Sequence, residues 1–293
     1  MNRWLALTLK LSATVLIMIL AYMVSSVVPA LALRAPAKAQ ESHPQAGSLL
    51  LDLLLVSFLQ AGILSFIILR SKWTGRKLMG ATFLLFYGVT TVTTQLESIV
   101  FLPTKMPRGM IPALFLMGAV VAIVFAPSAV LILGGAKAKE QMPTSDTLLA
   151  MPASEWAWKL AVNVVVYEAL YFGFGYFVAW QDPAVREYYG GTDPGSFLKQ
   201  IAAIWSTTPW LFLFQAFRAV LWTAFAVPAI RAVKGKRWER SLTMALAFPI
   251  LASALLLIPN PYMPIAVERV HLIETSCSNF IFGWIVGWLL SRG

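Results

Sequence analysis

Cysteine is nearly absent. Cys277 is the only one in 293 residues, so neither an intramolecular disulfide nor a cysteine metal knuckle can be built. Charge is scarce as well: Asp, Glu, Lys and Arg make up 12% of the chain, about half the share in soluble globular domains. There are two histidines, His43 and His271. No HExxH, GxSxG, Walker or dinucleotide-binding motif stands in a supporting context, which removes the common hydrolase and nucleotide-binding signatures. No internal repeat points to inverted transporter halves.

What fills the chain is apolar. Hydrophobic residues make up 59%, gathered into runs that match the roughly 20 helical residues needed to cross about 30 Å of hydrocarbon. Eight spans are expected, at 11–33, 49–70, 79–102, 110–134, 158–180, 209–231, 241–259 and 270–291. The runs are continuous, without the alternation of barrel strands, so the fold class is an all-α polytopic membrane bundle. The longest connections, 136–157 and 181–208, are shorter than the ~50 residues of a soluble domain, so residues 1–293 form one transmembrane domain. Within the second connection, "PGSFLKQIAAIW" can form a short helix on the membrane surface.

The net charge of +10 is an orientation signal rather than a nucleic-acid signal, because of where the charge falls. With the N-terminus inside, cytoplasmic flanks hold Arg3, Arg70, Lys72, Arg76, Lys77, Lys137, Lys139, Lys159, Arg231, Lys234, Lys236, Arg237, Arg240 and Arg292. The opposite side holds only Arg34, Lys38, Lys105, Arg108, Arg186, Lys199 and Arg269. This two-to-one bias puts both termini in the cytoplasm, with some attraction to anionic lipid. The first apolar run is longer than a signal-peptide core, so it is expected to stay as an anchor despite the "ALA" at 30–32. Prolines 127, 228 and 249 fall inside or at the ends of spans, where membrane helices tolerate kinks.

Polar residues within spans mark the candidate sites. Glu168 lies near the middle of the fifth span, ~18 Å below Trp180. The only basic residue in the middle of another span is Arg218, ~12 Å below Trp210 on the sixth. The ~6 Å offset is within the reach of an arginine, so an intramembrane ion pair between them is expected. Gln215 and Trp222 flank Arg218 at three and four residues, and Tyr171 follows Glu168 at three.

A second group lies toward the outer face. Thr90, Thr94 and Glu97 share one face of the third span, His271 and Glu274 open the eighth, and Asp52 begins the second. All three carboxylates sit ~6–9 Å below the surface, so Asp52, Glu97, His271 and Glu274 would form an outer acidic group. Such a set can bind a cation, relay protons or receive a cationic solute. His-x-x-Glu reverses the Glu-x-x-His order of di-iron bundles, and neither a metal nor a cofactor is expected.

The leading functional expectation is transport of a small solute, coupled to protons, in a bacterial inner membrane. The partners are then the lipid bilayer and a small molecule or ion, with no nucleic acid. The alternatives are a membrane enzyme acting on a lipid or lipid-linked substrate through His271 with Glu274 or Glu97, and a structural or sensory subunit. Neither the substrate nor the oligomeric state is legible.

Overall fold

A computed structural model describes residues 2–33, 46–135, 151–259 and 262–291. Among them every regular element is helical, and the only β-type pairing is an isolated antiparallel bridge between Ser71 and Val233. The all-α polytopic membrane bundle expected from the sequence is the fold.

Helix α1, Arg3–Ser25, opens on Asn2, whose Oδ1 accepts the Trp4 N–H at 3.2 Å. It continues as α2, Val27–Leu33. Helix α3, Ala46–Leu69, precedes α4, Gly75–Tyr87, and α5, Thr93–Phe101, which are joined into one long helix by a π-helical turn at Gly88–Val92. Helix α6, Met110–Ile132, contains Pro127. Helix α7, Ala153–Phe174, runs into a second π-helical turn at Gly175–Ala179. Two short helices follow, α8 at Pro183–Tyr189 and α9 at Phe197–Thr207. Helix α10, Trp210–Ala232, then α11, Arg237–Ser253, with a 3-10 turn at Ala254–Leu257, and α12, Ile265–Leu290, complete the chain.

Seven of these helices or continuous helix pairs are long and apolar enough to cross a membrane. The eighth expected span folds as α12, whose first half carries Glu268, Arg269, His271 and Glu274. Its second half packs backbone to backbone on α11. A Cβ added at Gly283 would strike the Met244 carbonyl, and one added at Gly287 would meet the Ser241 backbone. The run "GWIVG" is a Gly-xxx-Gly stripe of the kind that lets membrane helices approach closely.

Two connections differ from expectation. Part of the first, read as a loop at 136–157, belongs to α7, which begins at Ala153; residues 136–150 lie outside the described set. The second, read as a connection with one surface helix at "PGSFLKQIAAIW", holds a further helix that begins at Asp182-Pro183. The Asp182 carboxylate accepts the Ala184 N–H at 2.8 Å, Pro183 takes the first helical position where no N–H is needed, and Gly190 closes α8 at φ 72°. Helix α9 has no buried residue and leaves Leu198 and Trp205 exposed, as an amphipathic helix lying on a membrane surface would.

The interior is aromatic. Phe86, Phe125, Trp222, Phe248 and Phe282 are fully enclosed, while large apolar side chains such as Leu213 and Val165 cover the outside. An outside this apolar suits lipid, not water.

Candidate intramembrane polar site

Arg218, on α10, is the buried centre of the polar interior. Its Nη1 lies 2.5 Å from Glu97 Oε1 on α5 and donates to Gln215 Oε1 at 2.8 Å; its Nη2 donates to the Thr93 carbonyl at 3.3 Å. The rings of Tyr167 and Phe214 lie 5.7 and 5.8 Å from the guanidinium. The Arg218 side chain is 3% exposed and that of Glu97 36%, so the pair joins a sealed cation to a carboxylate that looks outward.

The expected partner, Glu168, does not meet Arg218. Consecutive helical residues point about 100° apart, and at this depth α7 turns Tyr167, not Glu168, toward α10. Tyr167 is buried between Arg218 and Phe282. Glu168 instead stands half-buried beside the exposed Val165, with no hydrogen bond or ion pair among the described residues. Trp222 also departs from expectation: it packs against Phe248 and Phe282 at ring distances of 4.7 and 6.4 Å rather than over Arg218. Gln215, three residues before Arg218 on α10, accepts from its guanidinium. Tyr171 lies one turn above Tyr167 on α7, within electrostatic reach of Glu97, Arg218 and Glu274.

The second half of the site is on α12. His271 Nδ1 is 2.7 Å from Glu274 Oε2, and His271 Nε2 is 3.2 Å from the Tyr189 hydroxyl on α8. Burial pushes the Tyr189 hydroxyl well above its ordinary range, so it stays protonated and can donate to Nε2. A neutral imidazole then keeps its proton on Nδ1 and donates it to Glu274. This gives an oriented relay from Tyr189 through His271 to Glu274. The Glu274 carboxylate lies beside Gly175, where a Cβ would come within 3.8 Å of Oε1.

The outer acidic group is therefore divided. Glu97 belongs with Arg218, and His271 with Glu274, the two halves flanking Tyr171. Asp52 is half-buried on α3 without a partner among the described residues, and α3 packs chiefly on α1 and α11. No three His, Cys, Asp or Glu side chains among the described residues are grouped to hold a metal ion.

Both π-helical turns border this site. Thr93, whose carbonyl accepts from Arg218, directly follows the turn at Gly88–Val92, and Gly175, beside Glu274, opens the other. A π-helical turn breaks the regular backbone ladder, and such turns recur at functional sites. Sequence reasoning missed Tyr189, because α8 looked like a loop, and missed Glu97 as the arginine's partner.

Comparisons with protein-family models, curated proteins and solved structures give no match. The class established by fold and composition is a multi-pass integral membrane protein.

Proposed function

We propose that this protein moves a small solute, together with protons, across a bacterial inner membrane. The observation that carries the reading is the gathering of Glu97, Arg218, Tyr171, Glu274, His271 and Tyr189 inside an otherwise apolar bundle. Ionisable groups at such depth are costly, and they commonly line pathways. Two carboxylates against one fixed cation leave the site net negative when His271 is neutral, which suits a cationic solute or a proton. The π-helical turns next to both carboxylates supply places where α5 and α7 can change their local winding.

Proteoliposomes enclosing a pH-sensitive dye test this directly. Under an imposed pH gradient, a panel of small organic cations and amino acids should include solutes that move protons in wild-type vesicles, with the response lost in Glu97→Gln and Glu274→Gln. No response beyond protein-free vesicles, or full activity in both variants, removes the reading.

The Tyr189–His271–Glu274 relay favours a second reading, an enzyme acting on a lipid or lipid-linked substrate with His271 as the base. Chromatography of membrane lipids before and after incubation, with His271→Asn as control, separates the two.

A further inference from the structure

The end of the bundle opposite α8 carries a cationic cluster that the polar site does not use. Lys159, at the start of α7, is buried, with Nζ 2.9 Å from Glu155 and 3.3 Å from the Met151 sulfur. Arg237, at the start of α11, acts on it electrostatically and donates from Nε to the Trp288 carbonyl at 2.8 Å, its guanidinium 4.2 Å from the Trp288 ring. Arg231, at the end of α10, lies 5.9 Å from the ring of Trp156, one turn from Lys159 on α7. Arg240 follows Arg237 by one turn on α11.

Three features set this group apart from scattered surface charge. Arg231, Arg237 and Arg240 form no ion pair among the described residues; the nearby Glu239 is taken by Arg70 at 2.8 Å. The Nε atoms of Arg231 and Arg240 are buried with no acceptor in reach. The cations are also seated among Trp156, Trp158 and Trp288, and tryptophan marks the headgroup level of a bilayer. Unpaired guanidinium groups at that level meet lipid phosphates, which they bind well.

We propose that Lys159, Arg231, Arg237 and Arg240 form a binding site for the phosphate of an anionic phospholipid, in the leaflet at this basic end of the bundle. The α10–α11 connection then seats the headgroup, with the acyl chains lying along the apolar outer faces of α7 and α12.

The test is thermal unfolding of delipidated protein in detergent, with added phosphatidylglycerol, phosphatidylcholine or inorganic phosphate. Phosphatidylglycerol should raise the midpoint clearly above phosphatidylcholine, and millimolar phosphate should not. The double variant Arg231→Gln/Arg240→Gln should lose most of that difference. Arg76→Gln/Lys234→Gln, which removes the same charge from exposed positions at the same end, should keep it. Equal stabilisation by both lipids, or equal losses in the two double variants, would overturn the proposal. Full stabilisation by phosphate alone would replace the lipid with a free anion. Should the first variant fail to fold, native mass spectrometry of the wild-type protein with equimolar lipids decides: preferential retention of phosphatidylglycerol supports the site, and equal retention sinks it.

Discussion

Charge placement in this bundle depends on single residues, and Arg218 shows how. A buried arginine that loses its carboxylate is left in low dielectric, and breaking such a pair costs about 3–5 kcal/mol in soluble interiors. Glu97 is partly open to the outside, which lowers the figure, so Glu97→Gln should cost roughly 1–3 kcal/mol. The double change Glu97→Gln/Arg218→Gln should recover much of this, because no unpaired charge remains. Glu168→Gln should cost nothing measurable or even stabilise, since it removes a half-buried charge that has no partner. Thermal melts in detergent for these variants yield the coupling energy of each pairing. Strong coupling between Glu168 and Arg218, with none between Glu97 and Arg218, would restore the pairing expected from span depths. Depth along a span was legible because helical rise is fixed; direction around the helix was not. The sequence around Tyr167 and Glu168 offers two adjacent residues with claims on the interior, and only packing decides that the aromatic ring enters.

Helix boundaries were legible at most ends. Six of the seven long apolar helices begin and end within about five residues of the expected spans, but the first begins at Arg3 rather than at 11, and α12 lies at 265–290 where 270–291 was expected. The elements that were missed are those whose local signals compete. Asp-Pro reads equally as a turn and as a helix start, and each π-helical turn, Gly88–Val92 and Gly175–Ala179, is a single five-residue turn, too short to leave a mark on the periodicity of the span around it. The Gly283/Gly287 stripe was readable in principle, since Gly-xxx-Gly in an apolar helix signals close contact. Its partner is backbone, which cannot move aside as a flexible side chain can. Gly283→Leu should therefore lower stability by at least about 1–3 kcal/mol, the usual cost of overpacking, and reduce the yield of folded protein. Gly173→Ala, on α7 with open space around it, should leave both unchanged. Equal behaviour of the two variants in detergent melts would mean that α11 and α12 do not meet along this stripe.

At the scale of the whole molecule, the ends of the bundle are tied independently of any charge count. At one end the α3–α4 and α10–α11 connections are clipped together: Lys72 N–H donates to the Ala232 carbonyl at 2.7 Å, Lys234 N–H to the Arg70 carbonyl at 2.8 Å, and Arg70 pairs with Glu239. At the other end the Tyr188 hydroxyl donates to the Tyr262 carbonyl at 2.7 Å, and Lys105 sits 4.1 Å over the Tyr188 ring. Positions near 75 and 235 must then share one side of the membrane, and those near 105, 190 and 265 the other. The charge bias adds the sign, because the clipped end is the more basic and basic loops stay in the cytoplasm. Reporter fusions at 75 and 235 should therefore read cytoplasmic, and fusions at 105, 190 and 265 external. The two claims fail differently. A uniform reversal would keep the fold and overturn only the charge argument. A split between 75 and 235 would break the clip, change the number of crossings between them, and with it the depth at which Glu97 meets Arg218.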